Sequence, residues 1–303
     1  MAKIKIEIDT ESIGTTHTIS VSAGSKIGVV SSIALPNALE SAFKNGVNNS
    51  AIDVKIKDNC SYKKNNLQKL EHEIKHFSNT ADVIATTGGL VAYQAAISAP
   101  ATKPFVSLAA ELPAPTGLFK GGVSLESYQS NKDRIGILTG LSFGFGLANI
   151  GLFYNPNSAM NPQELSNWSN LVGTANQAFP GGVNNSGDND ANAYATDFGL
   201  TKIPATITAL VISGDPFFQD TRAKLIAAAN AWIAAGTAGT VRYICYPALA
   251  YQSGGGVSPT ANRATLFGPD LPTAYSLLGQ IAATVLSGAG GSLIRLPNIR
   301  RDL

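Results

Sequence analysis

From Lys26 onward the chain alternates two hydrophobic patterns. A short aliphatic run gives way to a loop with Ser, Gly or Pro, and then to ten to fifteen residues whose apolar positions recur every three or four. The runs are Ile27–Val30, Ile52–Ile56, Asp82–Ala85, Phe105–Leu108, Ile150–Phe153, Ala209–Ile212 and Val241–Ile244. Each is short enough for a buried strand. Between them Leu39, Phe43 and Val47 form one helical stripe, and Leu67, Leu70, Ile74 and Phe77 a second. Leu225, Ile226, Ala229, Trp232 and Ile233 form a third, and Ala274, Leu277, Leu278, Ile281 and Val285 a fourth. Strand and helix in alternation predict an α/β protein whose parallel sheets are covered by helices. Ahead of the repeat, Lys3–Ile8 and Thr16–Ser22 alternate in character around Gly14, the pattern of a β-hairpin or an added edge strand. The stretch from Gly173 to Asp197 is dense in Asn, Gly and Asp and reads as a long loop around one weak strand.

There are too many strands for one flavodoxin-sized unit, and the region from Pro113 to Lys132, with its prolines and glycines, is a natural crossover. The expectation is two α/β lobes joined by a hinge. At 303 residues, 44% hydrophobic and 14% charged, the chain can bury one large core or two moderate ones. A net charge of +2 gives no electrostatic reason to expect nucleic acid or a membrane surface as partner. No apolar stretch approaches the roughly 20 residues of a bilayer-spanning helix, so a soluble product is expected. Cys60 and Cys245 fit no metal spacing and can form at most one disulfide.

Three motifs are weaker than they look. His72-Glu73-Ile74-Lys75-His76 satisfies the zinc-protease pattern, but at about 100° per residue both histidines fall nearly opposite the Leu67–Phe77 stripe and face water. Gly144-Phe145-Gly146 with Gly151 has the wrong spacing for a dinucleotide loop and leads into a strand. Asp188, Asp190 and Asn192 open like a calcium loop, yet Ala193 stands in place of its turn glycine and Gly199 in place of its bidentate glutamate. No metal, cofactor or assembled catalytic set is expected.

The chemistry left lies at the carboxyl ends of the runs, where open α/β sheets place ligands. Ser31 and Ser32 follow the first run, and Thr86-Thr87-Gly88-Gly89 follow the third and open a helix; both offer hydroxyls and free N–H groups to an anion. Glu111, Tyr154, Asn155, Asp215 and Tyr246 end other runs, and capping or turn formation is the competing role for each. Together they describe a polar pocket walled by aromatic rings that suits a zwitterion. Hydroxyls and N–H groups meet the acid, Asp215 the ammonium, and Tyr154 or Phe217 the side chain.

Ala209–Phe218, with its Asp215-Pro216-Phe217-Phe218, resembles a segment of the ABC-transporter substrate-binding proteins of the type I periplasmic-binding-protein superfamily. In the same order, Asp82–Gly88 with Gln94-Ala95-Ala96 is similar to that family's Thr/Gly loop and helix. Ile150–Asn157 is similar to its second-lobe strand and Asn-Pro turn, and Phe267–Leu271 to its returning segment. The resemblance runs from about Ser25 to the end. It implies two Rossmann-like lobes: residues 25–128 with 248–290 returning to them, and residues 129–247. Residues 1–24 stand as an N-terminal extension and 291–303 as a strand or tail. It further implies a non-enzymatic receptor that closes on an amino acid or related carboxylate and delivers it to an ABC-type permease. The ligand contacts carried over are Ser31, Ser32, Thr86, Thr87, Tyr154, Asn155 and Asp215. Such a receptor works in the periplasm or another extracytoplasmic space if a leader precedes it; the first residues lack the apolar run of one, and without it the location is cytoplasmic. The alternatives are a cytoplasmic ligand sensor of the same fold, or an enzyme using the interlobe cleft with Asp215 or Glu111 as base.

Overall fold

The computed structural model describes residues 3–5, 18–20, 24–58, 60, 67–99, 102–125, 127–140, 143–156, 161–173, 177–181, 198–215, 218, 221–236, 241–247 and 263–302. Within these, the chain divides into two compact units. The first comprises residues up to Cys60, Leu67–Ser124 and Pro272–Arg295. The second comprises Leu125–Leu271 and Leu296 onward, so the chain passes between units at residues 124/125, 271/272 and 295/296. Phe217 and the calcium-like run at 188–193 lie outside the described residues.

The first unit begins with β1 (Lys3–Lys5) and β2 (Thr18–Ser20), an antiparallel pair that forms its own two-stranded sheet. Its main elements are β3 (Lys26–Ser31), α1 (Asn37–Val47), β4 (Asp53–Lys57), α2 (Leu67–Thr80), β5 (Val83–Thr87), α3 (Leu90–Ser98), β6 (Phe105–Ala110) and β7 (Phe119–Leu125). The second unit contributes α4 (Ser127–Thr139), β8 (Ile150–Tyr154), α5 (Asn161–Val172), β9 (Ala178–Pro180), β10 (Ala209–Ile212), α6 (Arg222–Ala234), β11 (Tyr243–Tyr246) and β12 (Ala264–Gly268). The chain then returns to the first unit as α7 (Leu271–Leu286) and β13 (Leu293–Leu296), and ends in the second as β14 (Ile299–Asp302).

Each unit holds one six-stranded sheet, in the order β4-β3-β5-β6-β7-β13 in the first and β9-β8-β10-β11-β12-β14 in the second. The two orders are the same topology. A first strand enters the sheet, a second lands on one side of it, and the third and later strands build out on the other. In the first unit β4, β3, β5 and β6 run parallel. In the second β9, β8, β10, β11 and β12 are parallel and β14 is antiparallel to β12.

The central strands are buried along their length: every residue of β5 and β10, and all but the first of β3. Because successive side chains alternate across a strand, Val30, Ile84, Phe105 and Ala109 fall on the face covered by α2 and α3, where they pack with Leu70, Ile74, Phe77, Ala92 and Ala96. Ser31 and Thr87 therefore point to the opposite face, where Tyr275 of α7 lies near Thr87. The second core gathers Leu152, Trp168, Val211, Tyr243 and Cys245. Cys60 and Cys245 are both buried and are not joined in a disulfide. Burial pushes the Cys60 thiol up to about 11, with the Glu73 charge adding to the rise.

Three boundaries differ from the sequence reading. β12 is hydrogen-bonded into the second sheet, so the return to the first unit starts at Pro272 and not near residue 248. The first crossover comes at 124/125, a few residues before 128, because the Gly-rich segment Phe119–Leu125 is itself a strand. The last 13 residues are not one tail: β13 joins the first sheet and β14 the second.

Candidate functional site

In a sheet ordered 2-1-3-4 the loops leaving strands 1 and 3 diverge, and the crevice outside their carboxyl ends is where such folds hold ligands. Here that point is β3/β5 in one unit and β8/β10 in the other.

At β3/β5 the parallel register sets Ser31 beside Thr87. The Ser32 N–H donates to the Thr87 carbonyl at 3.1 Å, and the Ser32 hydroxyl to the Gly88 carbonyl at 2.5 Å. Gly88 is forced by this approach. Its φ is +88°, and a Cβ there would stand 2.2 Å from the Ser32 hydroxyl. Gly89, at φ +98°, then opens α3, whose first N–H groups carry the positive end of the helix dipole. The Ser31 hydroxyl is fully buried and has no hydrogen-bond partner among the described residues. A buried donor in that state marks a place for a guest or an ordered water. The Thr86 hydroxyl is 2.8 Å from that of Ser107, on the α2/α3 face and away from Ser31. On the α7 side, the Tyr275 phenol is raised to about 12 by burial, with the nearby Thr87 hydroxyl opposing the rise.

At β8/β10 the Asn155 amide, only 3% exposed, donates to the Asp215 carboxylate at 3.2 Å and so ties the two diverging loops together. The Asp215 N–H donates to the Ser213 hydroxyl at 3.1 Å, and the Ser213 N–H to the Phe153 carbonyl at 2.9 Å. Tyr154 is half-buried beside the core.

Glu111 and Tyr246 stand apart from these sets. Glu111 occupies an exposed turn after β6 with φ +53°, two strands from β3. Tyr246 is fully buried, and burial pushes its phenol far above the ordinary value; it offers no surface to a guest.

Two residues at the second set escaped the sequence reading. Arg134 of α4 is 3% exposed, and its guanidinium donates to the carbonyls of Ile212 (3.2 Å), Phe267 (3.2 Å) and Pro247 (3.5 Å) and to the Asn131 amide oxygen (3.2 Å). One side chain thereby pins the carboxyl ends of β10, β11 and β12. Glu164, in the first turn of α5, is half-buried; burial raises its carboxyl to about 7, a hydrogen bond with Ser213 opposes the rise, the Asp215 charge adds to it and Arg134 opposes it. The signal for both was position. Arg134 falls on the stripe Asn131, Ile135, Leu138, and Glu164 falls one turn before buried Trp168.

The folded protein holds the Glu164 proton more tightly than an unfolded chain, whose carboxyl has the ordinary value of 4.5. The associated stability is therefore full below about pH 4.5 and lost as pH rises through about 7. Glu164→Gln keeps the hydrogen-bonding shape without the charge. It should stabilise the second unit by about 1–2 kcal/mol at pH 8 and leave it nearly unchanged at pH 4.5, as read by urea denaturation at the two pH values.

No protein-family model and no curated protein matches the sequence. Solved structures do match. An ABC domain in complex with L-Trp from Streptococcus pneumonia has a TM-score of 0.62 at 15% identity, over 90% of this chain and 91% of that one. An ABC transporter solute-binding protein from Bacillus halodurans C-125 with bound myo-inositol has a TM-score of 0.59 at 12% identity, over 92% and 95%. The fold is that of the type I periplasmic binding proteins. The type I fold is also shared by regulators: a LacI-family regulatory protein from Chloroflexus aggregans has a TM-score of 0.58 at 14% identity, over 91% and 97%.

Proposed function

We propose that this chain is a non-enzymatic receptor for a small polar solute, an amino acid or related carboxylate, which it delivers to an ABC-type permease. The observation that carries the reading is the placement of hydroxyl, amide and carboxylate groups at the switch point of both sheets: Ser31, Ser32 and Thr87 with the α3 N-terminus in one, Tyr154, Asn155 and Asp215 in the other. The first set suits an acid group and the second an ammonium. The likeness to an ABC domain in complex with L-Trp and to a solute-binding protein with bound myo-inositol supports a binder of small polar molecules.

The second reading is a ligand sensor of the same fold, favoured by the comparable likeness to a LacI-family regulatory protein. The two share the binding step and part in location, the first working outside the cytoplasm and the second inside. Fusing the native gene's upstream region to a secretion reporter separates them.

A thermal-shift screen against amino acids, small carboxylates, sugars and nucleosides tests the binding step. At a hundredfold excess over its dissociation constant a ligand adds about 2.7 kcal/mol of stability by mass action, a clear rise in melting temperature. Asp215→Ala should then weaken an amino-acid ligand by about tenfold or more. A panel in which nothing shifts the transition, or a ligand indifferent to Asp215, defeats the reading.

A further inference from the structure

The helix α2 carries a motif that the solute-binding reading leaves unused. His72 and His76 are one turn apart on a 14-residue helix, both exposed, while Leu70, Ile74 and Phe77 are buried beneath them. The helix cannot roll to hide them. The Phe77 ring rests directly on Gly28 of β3, so closely that a Cβ at that glycine would lie 2.4 Å from the ring. Ser78, buried on the same side, bonds back to the Ile74 carbonyl at 3.0 Å. Positions i and i+4 of a helix are neighbours, about 5–6 Å apart at Cβ, and their side chains lean the same way. Two imidazoles at that separation can each turn a ring nitrogen toward one ion at about 2.0–2.1 Å.

We infer that His72 and His76 form a surface chelate for a borderline divalent transition metal, such as Zn²⁺, Ni²⁺ or Cu²⁺, with water completing the coordination. Imidazole suits these ions and not Mg²⁺ or Ca²⁺. The site is not hydrolytic. Glu73 lies about 100° around the helix from His72, and among the described residues no group of three His, Cys, Asp or Glu is placed to hold an ion. The site belongs to the first unit and is independent of the strand-end sets.

Titrate the full chain with ZnCl₂ and with NiCl₂ in a non-coordinating buffer, following heat and melting temperature, and record the Cu²⁺ electron paramagnetic resonance spectrum. The expected result is one-to-one binding, a melting transition raised by metal and restored by EDTA, and nitrogen hyperfine structure from two imidazoles. His72→Ala and His76→Ala should each weaken binding about tenfold or more, each lost bond being worth at least one factor of ten. Both sites are on the surface, so the variants keep the helical circular dichroism of the parent. His17→Ala, the third histidine of the chain, should change nothing. The proposal is overturned if a tenfold excess of Zn²⁺ and Ni²⁺ produces neither heat nor a melting shift. It is equally overturned if binding survives both single substitutions or disappears with His17.

Discussion

Replacing Arg134 by alanine should destabilise the second unit by about 3–5 kcal/mol while the first unit unfolds as before. The expectation follows from what the guanidinium holds. Three carbonyls at the ends of β10, β11 and β12, at Ile212, Pro247 and Phe267, take their side-chain hydrogen bonds from this one group. A planar fork with five donors can serve three diverging acceptors at once; an ammonium on a flexible stem cannot keep the same directions. Arg134→Lys should therefore recover only part of the loss. Removing the side chain takes a donor from each of the three carbonyls, and a buried acceptor left unsatisfied costs about 1–3 kcal/mol, less whatever entering water restores. The measurement is unusually clean because both tryptophans, Trp168 and Trp232, lie in the second unit. Tryptophan fluorescence in a urea series then reports that unit alone, and circular dichroism reports both. A fluorescence midpoint that moves by less than the equivalent of 1 kcal/mol would show that Arg134 does not hold the strand ends together. The same substitution should also lower solute affinity, since Asp215 follows three residues after Ile212 on the loop Arg134 pins.

How much of this was legible beforehand depended on whether a segment obeyed its own period. The seven aliphatic runs and four helical stripes are self-consistent, and each appears as a strand or a buried helix face. β7 did not announce itself, because Gly121 and Gly122 interrupt its apolar pattern. Both have positive φ, and a Cβ at Gly122 would lie 1.9 Å from the Ser107 carbonyl of the neighbouring strand, so close approach dictates glycine there. β13 and β14 read only as one strand or tail because edge strands carry charge to discourage further pairing, and Arg295, Arg300 and Arg301 do so here. The strand-end residues were visible because polar groups directly after buried aliphatic runs stand where open α/β sheets hold ligands. Sequence could not say which of them meet. Ser31 with Thr87, and Asn155 with Asp215, are joined by register and loop divergence, whereas Glu111 leaves from a strand further along the sheet. Arg134 and Glu164 were missed for the opposite reason. A charge on a buried stripe looks like an error of periodicity until the carbonyls or hydroxyls that satisfy it are seen.

Gly46 and Gly136 both sit inside helices, and alanine at the two should act with opposite sign. In isolation glycine costs a helix about 1 kcal/mol relative to alanine, so propensity alone favours both substitutions. At Gly136 in α4 nothing stands within 4 Å of where the new Cβ would go, and Gly136→Ala should stabilise the second unit by about 0.5–1 kcal/mol. At Gly46 the Cβ would fall 1.9 Å from the Ser276 carbonyl oxygen of α7, and the partner glycine is equally tight, with a Cβ at Gly279 2.2 Å from the Phe43 carbonyl. The obstacle in each case is backbone, which no rotamer change can move aside. The helices α1 and α7 must separate, and the strain and lost packing of such a shift cost about 3 kcal/mol, more than propensity returns. Gly46→Ala should therefore lower the stability of the first unit by about 2 kcal/mol net, and Gly46→Val by more, since it adds volume and loses helix propensity. Circular dichroism in urea should show the first unit's transition moving to lower denaturant while the tryptophan signal of the second stays in place. Because α7 also carries Tyr275 against Thr87, a displaced α7 should loosen the Ser31 and Thr87 set and weaken solute binding without touching a residue that contacts the solute. A Gly46→Ala protein as stable as its parent would mean that the two helices do not cross as closely as their glycines require.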